Sequence, residues 1–455
     1  MKNLLVIAYS FPPSSVIGTQ RTLAFVKYLR QHGWRSSVLC AEDPVYPERD
    51  ENLVAQIPAD TTVVRTRDRD LLSVLQPIYR RMARRSEPVS PSDPVVDRSP
   101  GPWQTLLRSV ALRLRPPGRC PGWYRSTLQE GRHILQQGRM DAIYSSGPPW
   151  SGHLVGLKLA TEFDLPWVAD FRDQWVSDPF DDPPTPTALL RKDLIDEARV
   201  VQRADLILCV VETMRRVLHE RYPERSAGDI VTILNGFDPE NLEASRRDGT
   251  GPPADRLRFV HTGHFYGKRR VEPFLAAYRK WREGDATIAA KSELELIGGS
   301  GTYLEELRAR VLASGSIESI HVEAEIPYQV SLRRQAEATV LLLVGFTGHG
   351  EETQMSGKIF EYLSVRRPIL ALAPAISPLG EVLRQSGVRH WIVQPNDEGA
   401  ILKALRQIGE AWSRGELDGP QSSESLAAFD RREQTKQLVQ VLNLAIARRT
   451  ASLSR

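Results

Sequence analysis

The stretch NGFDPENLEASRRDGTGPPADR, residues 235–256, decides how the chain is divided. It is rich in glycine, proline and charge and has no apolar periodicity, which is the composition of a linker. Directly after it, RLRFVHTG (256–263) starts a new apolar run ending in glycine. The same rhythm stands on both sides: short β-rich runs alternate with amphipathic helical stretches. That alternation predicts parallel sheets with helices on both faces. A chain of 455 residues is also too long for one comfortable core and suits two domains.

In the first half the pattern predicts strands at 3–8, 35–40, 61–66, 141–146, 166–171, 205–210 and 229–234, with helices at about 19–32, 151–163, 188–203 and 212–222. In the second half strands are expected at 256–263, 293–299, 319–324, 339–346, 368–374 and 390–394. The fold class is therefore α/β, with two doubly wound, Rossmann-like domains facing one another across a cleft at the carboxyl ends of their strands. The expected boundaries are 1–240, 256–415, and a helical tail at 416–455.

Composition narrows the function. Hydrophobic residues make up 41% and charged residues 25%, as in ordinary globular proteins. No apolar run approaches the roughly 18 residues of a membrane-spanning helix. MKNLLVIAYSFPPSS (1–15) is too short an apolar stretch for a signal peptide, lacks a small-residue cleavage site, and reads as a first strand. Cys40, Cys120 and Cys209 are odd in number and widely spaced, which signals neither a disulfide framework nor a metal site and suits a reducing cytoplasm. A net charge of +4 is too mild to argue for nucleic acid.

One region breaks the rhythm. An insert at about 67–125 carries many arginines among Leu71, Leu72, Ile78, Tyr79, Trp103, Trp123 and Tyr124, around a proline- and serine-rich stretch. Such a segment suits an anionic membrane surface. It is equally the composition of a partly disordered insert with solvated arginines.

The chemistry-bearing residues concentrate at strand ends. In YSFPPSSVIGTQRTLAF (9–25), Gly18 precedes a helix and lets a phosphate approach backbone N–H groups. In HTGHFYGKRRVEPFLAAY (261–278), Lys268, Arg269 and Arg270 stand where a strand gives way to a helix, and such cations match a diphosphate. LELIGGSGTYLEEL (294–307) is strand, glycine turn and helix, but it reads G-G-S-G-T-Y and misses the dinucleotide fingerprint. In MSGKIFEYLSVRRPILALAP (355–374), Gly357, Lys358 and Glu361 head a short helix. Its spacing sets Ile359, Phe360 and Leu363 on an apolar face and Lys358, Glu361, Tyr362 and Val365 on another. A carboxylate there can accept both hydroxyls of a ribose, with Lys358 meeting a phosphate. Three such sites at the strand ends of one sheet describe a nucleotide-diphosphate pocket.

With FPPSSVIGTQR, SSGPPWSGH, ADFRDQW, ILNGFD, TGHFYGKR and GKIFEYLSVRRPILAL in place, the chain resembles, almost end to end, the retaining glycosyltransferases of the GT-B fold, family 4. The likeness is to bacterial members that build surface polysaccharides and glycolipids. It implies a nucleotide-sugar held mainly by the second domain and an acceptor held mainly by the first. It also implies a last helix that returns to the first domain.

By position, the resemblance implies catalytic roles for Lys268, Arg269 and Lys358 at the leaving diphosphate and for His153 beside the reacting sugar. Donor contacts fall on Gly18, His264, Gly299, Gly301, Gly357 and Glu361, and the acceptor side on Asp170, Arg172 and Asp173. Neither a metal nor a cofactor is expected beyond the substrate itself. Two positions depart from the family pattern: Thr353 stands where the first glutamate of its E-x7-E pair belongs, and His264 where an arginine is frequent.

The expected function is transfer of a sugar, with retention of configuration, to a saccharide or lipid-linked acceptor. The expected place is the cytoplasm, with peripheral contact at the inner membrane through the basic insert. The rival readings are a nucleotide-sugar 2-epimerase of the same fold and a non-catalytic nucleotide-sugar-binding partner in polysaccharide assembly.

Overall fold

The computed structural model describes residues 1–42, 44, 49–68, 120–176, 187–240, 251–253, 255–263, 269–299, 302–313, 319–346, 355–417 and 424–453. The greater part of the basic insert, and the positions His264, Lys268, Gly301 and Thr353, lie outside the described residues.

The chain divides into two compact units, one of residues 1–210, 214–233 and 435–455 and one of residues 211–213 and 234–434. The first holds a seven-stranded sheet built from β1 (Lys2–Ala8), β2 (Trp34–Ala41), β3 (Thr62–Thr66), β4 (Ala142–Gly147), β5 (Trp167–Phe171), β6 (Leu206–Cys209) and β7 (Ile230–Thr232). Their order is β3-β2-β1-β4-β5-β6-β7, and every pairing is parallel. The second unit repeats the plan with β8 (Leu257–Thr262), β9 (Ser292–Ile297), β10 (Ile320–Glu323), β11 (Val340–Val344), β12 (Ile369–Leu372) and β13 (His390–Val393), ordered β10-β9-β8-β11-β12-β13. These pairings too are parallel.

Strands covered on both faces must be apolar throughout, because neither side meets water. VLLLV of β11 is buried at every position, and each such side chain contributes about 1.5–3 kcal/mol.

Helices of the first unit are α1 (Ile17–Leu29), α2 (Pro121–Gln137), α3 (Ser151–Glu162), α4 (Thr187–Arg203) and α5 (Glu212–Arg221). Those of the second are α6 (Glu272–Glu283), α7 (Ala286–Lys291), α8 (Thr302–Ala313), α9 (Tyr328–Ala336), α10 (Lys358–Val365), α11 (Pro378–Ser386) and α12 (Glu398–Ser413). The last helix, α13 (Arg431–Leu453), inserts Leu438, Val441, Leu442 and Ala445 into the core that holds Leu4, Val6 and Leu23. Arg448 and Arg449 pair with Asp229 and Asp164 of that same unit. Among the described residues no helix is long and apolar enough to cross a membrane.

One local expectation is corrected. Trp123, grouped by sequence with the membrane-suited aromatics of the insert, is fully buried in α2, its ring edge-on to Tyr9 at 5.1 Å. The backbone N–H of Trp123 donates to Asp68 at 3.0 Å, and Thr66 and Thr127 share a hydrogen bond of 2.6 Å. The end of the insert therefore belongs to the core of the first unit. In α10, Tyr362 and Val365 share a helix face with Lys358 and Glu361 by spacing, yet both are buried. The helix is packed on more than one side, and only its charged first turn reaches solvent.

Candidate functional site

Open parallel sheets bind ligands beyond the carboxyl ends of their strands, where the strand order reverses. In the first sheet the reversal falls between β1 and β4, in the second between β8 and β11. Four loops leave these strands, and each carries residues that the sequence singled out.

In the first unit, β1 leads to α1, whose N-terminus has no side-chain cap. The guanidinium of Arg172 lies directly over Gly18: a Cβ there would stand 1.6 Å from Nη1. A side chain at this position would displace the Arg172 head group. Arg172 is held in turn by the end of β4, its backbone N–H donating to Gly147 at 2.9 Å and its Nη2 donating to the carbonyl of Pro148. Its Nε is buried and has no partner among the described residues.

Beneath this contact lies an ion pair that neither partner exposes. Arg21 donates Nε and Nη2 to the two oxygens of Asp170, each at 2.9 Å. Tyr144 donates to the same carboxylate at 2.6 Å and Ser146 at 3.3 Å. Burial alone would raise the pKa of Asp170, but the charge and hydrogen bonds of Arg21 prevail and hold it below the usual value. Asp173, two residues beyond β5, is pushed up by burial, with Arg172 pulling the other way.

His153 sits in the first turn of α3 with no exposure, its ring on Phe171 at 4.8 Å. Trp150 stacks on Trp175 at 5.0 Å, and Trp175 is tied to α4 by Asp193 at 3.1 Å. Burial first, and then Arg172, push the imidazole down to about 3, so it is neutral. Ser145 Oγ accepts from Trp167 Nε1 at 2.9 Å and lies 2.8 Å from His153 Nδ1, a contact that holds the ring in either neutral tautomer. The other ring nitrogen, Nε2, is buried with no partner among the described residues, close to Gly147 at the end of β4.

In the second unit, β8 and β9 end side by side in glycines. Gly263 and Gly298 have φ of +136° and +138°, and a Cβ on Gly298 would stand 2.2 Å from the carbonyl oxygen of Gly263. No other residue fits that crossing. Gly299 follows with φ +90°, its carbonyl accepting from Glu325 at 3.2 Å. The Cε of Lys358 lies over Gly263, 3.7 Å from where a Cβ would be. Its Nζ donates to Glu361 Oε2 at 2.8 Å, with both side chains about one quarter exposed. His261 donates Nδ1–H to the carbonyl of Leu342 at 2.9 Å. Burial, then Lys358 and Arg269, push His261 down to about 3. Both cations thus act on one imidazole at the end of β8.

The second switch point therefore presents two cations, a carboxylate and a glycine-lined backbone surface. The first presents a guanidinium over a helix N-terminus, a neutral imidazole and an aromatic stack. Residues 18–241 match the family model described as Glycosyltransferase Family 4. Those residues are a glycosyltransferase family 4 domain. The chain thus carries a glycosyltransferase family 4 domain, and that domain holds the whole first-unit site, from Gly18 to Trp175.

Solved structures extend the likeness to nearly the whole chain. HepE from Anabaena, in complex with UDP and glucose, has a TM-score of 0.60 at 13% identity, covering 97% of this chain and 100% of its own. Sucrose-phosphate synthase from Thermosynechococcus elongatus gives 0.61 at 15% identity, covering 98% and 100%. An α,α-trehalose 6-phosphate synthase from Burkholderia multivorans gives 0.60 at 13% identity, covering 100% of both chains. At these identities it is the structural match that counts, and it establishes the GT-B fold. No curated protein matches the sequence.

Within the family 4 domain the structure brings together Gly18, His153, Asp170 and Arg172; in the second unit it brings together Gly263, Lys358 and Glu361, with Arg269 acting on His261 beside them. Gly357 caps α10, and Gly299 sits at the β9 turn. The carboxylate of Asp170 is fully engaged within its own unit, so it fixes the loop that carries Arg172 and Asp173. Sequence reading missed Arg21, Tyr144, Trp150 and Trp175, which lie within or beside the quoted motifs, and Gln335, which lies outside all of them. The signal for Gln335 is a glutamine on the buried face of α9, next to Ser331 and Leu332. Among the described residues no cluster of three or more metal-ligating side chains occurs.

Proposed function

We propose that the chain transfers a sugar from a nucleoside-diphosphate sugar to a saccharide or lipid-linked acceptor, with retention of anomeric configuration. The second unit takes the donor and the first takes the acceptor. One observation carries the donor assignment: Lys358, Glu361 and the glycines of β8 and β9 converge at the switch point of the second sheet, with Arg269 near enough to act on the same imidazole.

The chemistry follows from charge. As the bond from the sugar to the diphosphate breaks, negative charge grows on the leaving oxygens, and fixed cations stabilise it most where water is excluded. Arg269 and Lys358, joined by Lys268, take that role. Glu361 accepts the ribose hydroxyls. Lys358 neutralises Glu361 in the free protein and turns to the diphosphate when the donor arrives. His153, neutral, hydrogen-bonds a sugar hydroxyl through Nε2. It holds the sugar without exchanging a proton. Arg172 and Asp173 contact the acceptor on the loop that Asp170 fixes.

Retention is supported by the family resemblance. A lipid-linked acceptor is supported by the arginine-rich insert at 67–125, which suits peripheral contact with an anionic inner-membrane surface on the cytoplasmic side. The test is incubation with UDP-, ADP- and GDP-sugars, with and without saccharide acceptors, followed by proton NMR of the product. Transfer only with acceptor, and an anomeric coupling matching the donor, supports the reading. An epimer formed without acceptor, or binding without turnover for every donor, refutes it.

A further inference from the structure

Gln335 belongs to no motif, yet it has no solvent exposure and lies against the carboxylate of Glu361. Its Nε2 stands 2.9 Å from Thr262 Oγ1, 3.1 Å from Ser331 Oγ and 3.2 Å from Glu361 Oε2. A carboxylate can only accept, so one amide N–H must point at Glu361. The amide turned over would set its oxygen against a carboxylate oxygen. The orientation is thereby dictated, and it leaves Gln335 Oε1 buried with no partner among the described residues. An orphaned buried oxygen is costly. A methionine would fill similar space without it, so packing alone does not account for a glutamine here.

What the amide adds is a fixed anchor behind the acid. Lys358 and Gln335 both donate to Oε2 of Glu361, and its Oε1 has no donor among the described residues. Lys358 is partly exposed and free to follow a phosphate, whereas Gln335 is buried and tied to the end of β8 through Thr262. The neighbouring Tyr362 hydroxyl accepts the Thr262 backbone N–H at 2.9 Å and donates to Leu342 at 3.3 Å, which fixes the same strand end.

We propose that Gln335 is a positioning residue that aims the Glu361 carboxylate at the two ribose hydroxyls, and so sets the preference for ribonucleotides over 2′-deoxyribonucleotides. The proposal rests on the ribose role of Glu361. With the anchor in place, the acid stays aimed when Lys358 leaves it. Without the anchor, the acid rotates and one of its two contacts is lost.

The test is calorimetric titration of the wild-type chain and the Gln335→Met and Gln335→Glu variants with UDP, ADP and GDP, each paired with its 2′-deoxy form. In the wild type the ribo form of the best-bound base is expected to bind at least about tenfold tighter, as a hydrogen bond to a charged group implies. Gln335→Met brings the pair to near parity. In Gln335→Glu the introduced carboxyl donates only while protonated, so the preference returns at pH 5 and vanishes at pH 8. A Gln335→Met chain that binds both forms more weakly but keeps the wild-type ratio has lost only structure, and overturns the proposal. If that variant fails to fold, a Gln335→Glu ratio that equals the wild type at both pH values overturns it instead. A wild type that discriminates within no pair refutes the ribose role of Glu361, and the proposal falls with it.

Discussion

Replacing Asp170 by Asn isolates the buried pair beneath Gly18. The two side chains are 0% and 1% exposed, and Arg21 engages both carboxylate oxygens at 2.9 Å. Asparagine keeps the shape and removes the carboxylate charge that faces the Arg21 guanidinium. Removing one partner of a buried pair costs about 3–5 kcal/mol. For a unit of this size that corresponds to a fall in melting temperature of about 6–20 °C. The unfolding is followed by tryptophan fluorescence, because Trp34, Trp123 and Trp167 are all buried in this unit. Hydrogen exchange adds location: protection is expected to fall in β1, β4 and β5 and to hold in β8–β13. A double variant, Arg21→Met with Asp170→Leu, removes both charges and is expected to lose less than the sum of the two single changes. Acid provides an independent check. The folded pKa of Asp170 is depressed, so its contribution is present above the unfolded value and is lost as pH falls through the folded one. A fall of less than about 2 °C for Asp170→Asn, or strict additivity in the double variant, refutes the claim that this pair holds the site.

Other consequences follow from the same geometry. His153 and His261 are both pushed down to about 3, so the unfolded chain binds more protons than the folded one between that value and about 6.5. Stability should therefore decline as pH is lowered through that window, by about 1.4 kcal/mol per pH unit for each histidine, and His153→Gln should flatten the slope measured by urea unfolding. The turnover rate should show no histidine titration between pH 5 and 8. Lys358→Ala should weaken nucleoside diphosphates by about tenfold while leaving nucleosides nearly unchanged, as read by calorimetry. Tyr362→Phe removes the acceptor of the Thr262 N–H and should destabilise the second unit by about 1–3 kcal/mol, read as a lower melting temperature.

The strands were legible because burial on both faces leaves no choice of side chain. NLLVIA, VLLLV and ILAL are continuous apolar runs, and their order forces a doubly wound plan. Helix α2 was not legible. Its sequence, PGWYRSTLQEGRHILQQ, is largely polar, and it buries only Trp123, Thr127, Leu128 and Gly131. Next to an arginine-rich stretch that composition reads as surface. In α10, spacing sorts residues around the helix axis but does not reveal how many sides are covered. At the site, Lys358 and Glu361 announced themselves by charge at a strand end. Gln335 and Arg21 did not, because their partners are 26 and 149 residues away along the chain. Gly18 was read as room for a phosphate, whereas the folded chain fills that room with Arg172.

The most direct measurement is nucleoside-diphosphate binding to the wild type and to Glu361→Ala, by calorimetry with UDP, ADP and GDP. If an acid and cations at the end of the second sheet grip a nucleotide sugar, the wild type binds one of them and the variant binds it about tenfold or more weakly with an unchanged melting temperature. Equal affinity in a folded variant would contradict the account.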